Sequence, residues 1–461
     1  MEQKSIYFLG IGGIGMSALA RLFLHQGYRV GGYDLTQTPL TDHLTAEGAE
    51  IHYHDSVEAI APHFKDKANT TVIYTPAVPT SHSEYCYFVQ SGFEMLKRSQ
   101  MLGLISEGKY VMAVAGTHGK TSTSTLIAWL NATAESEGSA VLGGISKNFN
   151  SNLVLGKGDR LTVEADEFDR SFLRLKPDVA VITSVDADHL DIYGTHQAVK
   201  EAFAEFAGLI KNCGSLILKH GVDLEVTNSE ITIYRYSFDQ QCDFYARNIT
   251  LIEGALYSYD IVTPDSVVVG CTLGIPGWVN IENSVAAVAA LWCAARAAGR
   301  GLDHDLLREA LRTFSGVKRR FEFYINTPHQ VYMDDYAHHP REIEAALSSV
   351  RAMLPGRKVL AIFQPHLYTR TRDLHVEFGE ALSKADRVIL LPIYPARELP
   401  IEGVNAEMIA RHVNAPCQVV QRDELVKFLE REETDVVITF GAGNIDCCCE
   451  SLSKMLKLKS I

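Results

Sequence analysis

Tryptophan is scarce, at 3 in 461 residues, and cysteine is sparse for so long a chain, at 9. Three of the cysteines are consecutive (Cys447, Cys448, Cys449) and none forms a Cys-x-x-Cys pair. This excludes a disulfide framework and disfavours structural zinc, and the expectation is reduced thiols in a cytoplasmic protein. Positive charge is in deficit. With 43 Lys and Arg against 56 Asp and Glu the formal net charge is −13, which argues against a nucleic-acid or anionic-membrane surface. A local basic pocket for a phosphorylated small molecule is compatible with that balance. No apolar run reaches the ~20 residues of a bilayer span; the uncharged helical stretch 285–295 is far shorter. The N-terminal residues carry no signal-peptide layout.

What is present is an ordinary globular composition, 46% hydrophobic and 21% charged, in a length that implies about two to four domains. Short apolar strands alternate with helical stretches, the pattern of a parallel sheet covered on both faces. The first block reads as strand 5–9, glycines, helix 16–26, strand 28–33 and strand 71–74. The second reads as strand 110–114, a glycine turn, helix 122–131, and strands 160–163, 179–183 and 215–218. It continues with a Tyr- and Val-rich stretch, 231–275, expected to be an antiparallel insert, and an Ala-rich buried helix, 283–298. The third shows strands 331–333, 358–363, 387–391 and 436–440, with helices at 340–353 and 374–384. The predicted fold is therefore α/β, with domains at 1–107, 108–316 and 317–461.

Two glycine turns carry chemistry. Gly10, Gly12, Gly13 and Gly15 fit G-x-G-x-x-G between a strand and a helix. There the backbone can approach a pyrophosphate and the helix N-terminus favours negative charge. Asp34, 19 residues after Gly15, could accept a hydrogen bond from a ribose hydroxyl. NAD and a nucleotide sugar suit this turn equally well.

The second turn, Gly116, Thr117, His118, Gly119, Lys120, Thr121, Ser122, resembles a P-loop, with Val114 where that motif has its first glycine. Its amides can cradle the phosphates of ATP, Lys120 can reach them, and the Thr121 hydroxyl can ligate Mg²⁺. Acidic clusters at Glu164, Asp166, Glu167 and Asp169, and at Asp186, Asp188 and Asp191, follow predicted strands and supply candidate metal ligands at the strand ends where α/β sheets bind. Two separate nucleotide sites point to ATP-driven chemistry on a nucleotide-linked substrate rather than to a dehydrogenase.

The chain resembles the Mur ligase family over essentially its whole length. The resemblance rests on LGIGGIGMS (9–17), AGTHGKTS (115–122), EADEFDRSF (164–172), DHLD (188–191), RRF (319–321), DDYAHHP (334–340) and QPHLYTRTR (364–372), in that order. It implies a Rossmann-like domain for the UDP-substrate, a central P-loop-like ATPase domain with a parallel sheet, and a C-terminal Rossmann-like domain for the amino acid. It further implies a cytoplasmic ligase of bacterial peptidoglycan precursor synthesis, monomeric or homodimeric. Within the family, the small-amino-acid reading is L-alanine joined to the lactyl carboxylate of UDP-N-acetylmuramate through an acyl phosphate, with ATP and Mg²⁺. The alternatives are a sibling that attaches a preformed tripeptide and, outside the family, an NAD-dependent dehydrogenase.

By the same resemblance, Thr121, Glu164 and His189 would hold metal, and Lys120, Glu164, His189 and Arg370 would be catalytic. Asn280, Asn283, Arg319, Asp334 and Asp335 would reach ATP. Met16, Ser17, Thr75, Lys97 and Arg98 join the first turn around the UDP-substrate, and Gly143, Gly144 and Asn148 lie near its muramoyl part. Tyr336, His338, His366 and Arg370 would form the amino-acid site, with Arg370 as the carboxylate fork. Two departures from the family pattern are Val279, where a histidine is usual, and the helix segment 201–206, which has no lysine to be carbamoylated.

Overall fold

The computed structural model describes residues 4–134, 138–187, 190–396, 398–432 and 434–459. It divides into two compact units: Met1–Arg247 with Asp260–Cys271 and Glu282–Ser315, and Asn248–Tyr259 with Thr272–Ile281 and Gly316–Ile461.

The first unit contains a five-stranded sheet of order β3-β2-β1-β4-β5. Its strands are β1 Ser5–Leu9, β2 Arg29–Tyr33, β3 Glu50–His52, β4 Thr70–Tyr74 and β5 Glu94–Lys97. All four pairings are parallel. Every residue of β1 is buried, as expected for a central parallel strand that reads as one apolar run. Strand order reverses at β1, so the turn that follows it, Gly10–Gly15, lies at the switch point where such sheets bind ligands.

The same unit holds β6 Tyr110–Ala115, β7 Ser139–Ser146, β8 Ser151–Val154, β9 Arg160–Glu164, β10 Val179–Ile182, β11 Ser215–Lys219 and β12 Thr232–Ser237. They run in the order β12-β11-β10-β6-β9-β7-β8, parallel except for the β7–β8 hairpin. The stretch expected as an antiparallel insert is thus corrected at its start. β12 pairs parallel with β11, and β13 (Phe244–Ile252) begins parallel to β12; β14 (Leu256–Val262) and β15 (Val267–Thr272) follow in the chain. Alternation of side chains shows that a strand has one exposed face; it does not report strand direction.

The second unit carries a six-stranded sheet of order β16-β17-β21-β18-β19-β20. Here β16 is Glu322–Asn326, β17 Val331–Asp335, β18 Val359–Phe363, β19 Arg387–Leu390, β20 Cys417–Val419 and β21 Val436–Phe440. Only β16 is antiparallel. Separate apolar clusters cover its two faces. The helix expected to begin at 374 begins at Tyr368 and is kinked at Leu374, where φ is −124°. Its polar first turn, Thr369–Arg372, hid the true start, and Arg370 consequently sits on a helix. Among the described residues no helix is long and apolar enough to cross a membrane.

Candidate functional site

The second glycine turn is braced by the strand beside it. β6 ends at Ala115, and the helix Lys120–Ala134 follows the turn. Gly116 has φ +136°, and a Cβ there would collide with Thr183 Oγ1, so no other residue fits. Thr183 donates its hydroxyl to the carbonyls of Ala115 and His118. The Ser184 hydroxyl lies 2.8 Å from Thr117 Oγ1 and accepts the His118 N–H at 2.9 Å. Asn283 is packed under the turn, accepting from Thr123 Oγ1 at 3.2 Å. Sequence reasoning missed Thr183 and Ser184; their only signal is their place at the end of an apolar strand beside the turn.

Lys120 donates to the Gly116 carbonyl at 2.6 Å and to Glu167 at 2.9 Å. Burial opposes its ammonium, but the carboxylates of Glu167, Glu164 and Asp166 outweigh burial and hold its pKa above the usual lysine value. The lysine is therefore held charged against the turn.

Glu164 ends β9, paired with Val114 of β6 at the edge of the turn. Its Oε2 is buried with no hydrogen-bond partner, an arrangement that costs free energy unless a cation satisfies it. Room for that carboxylate comes from Gly143 of β7, where a Cβ would overlap Glu164 Oε2. With the Thr121 hydroxyl buried in the first helical turn, these donors are oxygen ligands of the type Mg²⁺ takes. The third expected ligand, His189, lies outside the described residues, as does Asp188. In the second acidic cluster, Asp186 Oδ2 is 3.4 Å from His118 Nε2. Asp169 and Arg170 both have φ +53°, an uncommon left-handed pair that sharpens the turn of the first acidic cluster.

The first glycine turn is closed by its own acid. Asp34 Oδ2 accepts the Gly12 N–H at 2.7 Å and Oδ1 accepts the Thr36 N–H at 3.3 Å, so the residue expected at a ribose here braces the turn. A Cβ at Gly15 would overlap the Arg98 guanidinium, and one at Gly10 would sit 2.6 Å from Thr75 Cγ2. Thr75 and Arg98 are thus brought to the turn. Arg98 also pairs with Asp166, and Lys97 with Asp169, each at 3.0 Å.

Met16 and Ser17 are placed differently from expectation: both are buried beneath the turn. Ser17 Oγ donates to the Ile14 carbonyl and accepts from Asn152 of β8, both at 2.9 Å. Asn152 also donates to the Ile14 carbonyl and accepts from Arg21, both at 2.6 Å. Asn148 is likewise occupied, tying Thr313 and Ser315 at 2.9 and 2.8 Å.

In the second unit, Tyr336, His338 and His366 line up. Ring centroids are 5.5 Å apart for the first pair and 6.2 Å for the second, and His366 stacks on Tyr394 at 5.8 Å. The guanidiniums of Arg319 and Arg320 lie 5.1 and 5.0 Å from the Tyr336 ring. Arg370 lies in the first turn of the helix that follows His366. That turn is fixed by Glu398, which accepts from the backbone N–H (3.0 Å) and the hydroxyl of Thr369. Tyr394 and Glu398 belong to the stretch YPARELPI (394–401) that follows β19. Asn280 donates its amide to the Pro276 carbonyl at 2.6 Å, so that edge is turned to the chain itself. Asp335 accepts the N–H groups of Phe321 and Ala337, both at 2.8 Å.

Asp334 is fully buried. It accepts from Arg319 Nε at 3.1 Å and from Thr439 Oγ1 at 2.7 Å, an anchor more than a ligand-facing group. Burial raises its carboxyl against the opposing pull of Arg319. Removing one partner of a buried pair strands the other charge. Asp334→Ala is accordingly expected to lower unfolding stability by about 3–5 kcal/mol, read from urea denaturation midpoints at constant m.

Family models match along the chain in order: "Mur ligase family, catalytic domain" over 5–110, "Mur ligase middle domain" over 114–291 and "Mur ligase, glutamate ligase domain" over 319–443. A UDP-N-acetylmuramate–L-alanine ligase of Parabacteroides distasonis is 47% identical, covering 99% of this chain and 98% of its own. One from Phocaeicola vulgatus is 45% identical, covering 99% of each. Among solved structures, the UDP-N-acetylmuramate–alanine ligase of Thermotoga maritima superposes with a TM-score of 0.81 at 25% identity over 99% of both chains. A murein peptide ligase of Psychrobacter arcticus gives 0.69 at 23% identity over 98% of both.

Proposed function

We infer, from a chain that belongs to the Mur ligase family, that the protein joins L-alanine to the lactyl carboxylate of UDP-N-acetylmuramate with hydrolysis of ATP, in peptidoglycan precursor synthesis. The observation that carries this reading is likeness to L-alanine ligases at 42–47% identity over nearly the whole chain. The dehydrogenase alternative is set aside with it. We further propose the domain roles 1–107 for the UDP-substrate, 108–316 for ATP and 317–461 for the amino acid, and a cytoplasmic setting as monomer or homodimer.

A carboxylate is a poor electrophile, and phosphorylation by ATP gives it a leaving group. In the proposed roles, the amides of Gly116–Thr121 and the Lys120 ammonium take up the negative charge of the transferring phosphoryl group. Thr121 and Glu164 would hold Mg²⁺, which when bound neutralises phosphate charge. The first glycine turn, with Arg98 and Thr75, holds the diphosphate of the UDP-substrate. Arg370, with Tyr336, His338 and His366 beside it, clamps the alanine carboxylate and leaves its amine to attack the acyl phosphate. Phosphate then departs.

Phosphate release with UDP-N-acetylmuramate and ATP fixed and the acceptor varied tests the reading. L-alanine is expected to support turnover; turnover with a preformed tripeptide alone would overturn it. Arg370→Lys should raise the KM for alanine by ~10-fold or more while moving the KM for ATP little, because an ammonium cannot reproduce the two-pronged carboxylate contact. Equal alanine KM values would remove Arg370 from the clamp.

A further inference from the structure

Away from both glycine turns, one set of three His, Cys, Asp or Glu side chains among the described residues brings its ligand atoms within 4.8 Å of one another: Asp55, His82 and Glu84. His82 and Glu84 bracket the start of the helix Ser83–Gln90, and Asp55 follows β3. The Glu84 carboxylate has no solvent exposure and the His82 side chain is 5% exposed. Neither ring nitrogen of His82 has a hydrogen-bond partner, and neither has Glu84 Oε1. No Lys or Arg among the described residues pairs with Asp55 or Glu84; their basic neighbours are imidazoles, His82 Nε2 at 3.3 Å from Asp55 Oδ1 and His52 Nε2 at 3.5 Å from Glu84 Oε1. Buried polar atoms left in this state are unusual in folded proteins.

The spacing of one ligand pair matches a small metal ion, and the third ligand atom lies within 4.8 Å of the other two. His82 Nε2 lies 3.3 Å from Asp55 Oδ1, and two ligands each ~2.0–2.1 Å from a tetrahedral zinc are about 3.4 Å apart. The surrounding groups orient the carboxylates as outer-shell partners do. Tyr7 donates its hydroxyl to Glu84 Oε2 at 2.7 Å and lies 2.8 Å from His52 Nε2. Ser83 donates its N–H at 2.9 Å, and also its hydroxyl, to Asp55 Oδ1. The Tyr33 ring packs 4.3 Å from the His82 ring. Asp55, 42% exposed, gives an ion a path in from solvent.

We propose that Asp55, His82 and Glu84 form a three-ligand site for a zinc-class divalent cation, distinct from the ATP-site magnesium, with water as fourth ligand. An imidazole with two carboxylates is a donor set that zinc accepts, and magnesium, which prefers oxygen and octahedral geometry, does not favour. The ion would pin the chain after β3 to the helix Ser83–Gln90, stiffening one wall of the first domain. This site does not depend on the ligase reading.

The test uses the full-length protein without nucleotide, in excess Mg²⁺. Zinc retained after dialysis is measured for wild type, Asp55→Asn and His82→Asn, together with the zinc-induced change in Tm and the visible spectrum of the cobalt-substituted protein. Wild type should retain one more equivalent than either variant. The variants should bind more weakly by more than the ~10–100-fold of an outer-shell change, and only wild type should gain Tm. Asp55 is partly exposed, so its variant remains decisive if His82→Asn fails to fold. Equal zinc content in all three proteins, no retention by wild type, or a cobalt spectrum of thiolate type from exposed Cys213 or Cys447 with no other component would overturn the proposal.

Discussion

Lys120→Ala is expected to lower ligase turnover by ~10³-fold or more while leaving the affinity for UDP-N-acetylmuramate within a few-fold. Lys120 is the ammonium held against the Gly116 carbonyl and Glu167, with Glu164 and Asp166 acting on it electrostatically. In the proposed role, its removal takes away charge stabilisation at the transferring phosphoryl group. It also leaves three carboxylates with less compensation, so ATP binding should weaken. The first glycine turn is held by its own contacts, Asp34 to Gly12 and Arg98 against Gly15, and should change little, its link to Lys120 running only through Asp166. Phosphate-release kinetics and calorimetric titration of the UDP-substrate separate the two effects. Parallel loss of both would mean that one loop, not two, carries the anions.

Gly143→Ala should be nearly as damaging, although the residue bears no functional group. A single methyl group at this position overlaps the Glu164 carboxylate. Neither β7 nor β9 can yield readily, because β7 pairs with β9 and β9 with β6. The side chain of Glu164 must therefore swing off its position. Turnover should fall by ~10²–10³-fold, with a marked increase in the Mg²⁺ concentration for half-maximal rate and partial recovery at high Mg²⁺. Overall stability should change far less than activity, since Glu164 Oε2 already lacks a hydrogen-bond partner. A variant with normal magnesium dependence would remove Glu164 from metal binding.

Much of this was readable from the chain. β1 and β6 announce themselves as apolar runs followed by glycines, while what makes those glycines necessary, Thr183 against Gly116 and Arg98 against Gly15, is tertiary. The motif residues of the third domain also come together as Tyr336, His338 and His366. What could not be read is which side chains are already committed to the fold. Ser17 and Asp334 have the chemistry of ligand-binding groups, yet one is held by Asn152, 135 positions away, and the other by Arg319 and Thr439. Such pairings are set by tertiary packing between distant strands, and no local pattern encodes them. The same holds for Gly143, whose meaning appears only when β7 is seen beside β9. The true start of the helix carrying Arg370 is hidden in the sequence because its opening turn is polar and is fixed from outside by Glu398.

Asp166 lies between two basic groups that serve different turns: it pairs with Arg98, beside Gly15, and its charge also acts on Lys120. A diphosphate that draws Arg98 toward itself leaves this acid to answer to Lys120 alone. In the proposed roles, this shared counter-ion would link the two nucleotides, by no more than the few-fold change in UDP-substrate affinity expected for Lys120→Ala. Whatever factor the first imposes on the binding of the second, the second must return to the first in equal measure.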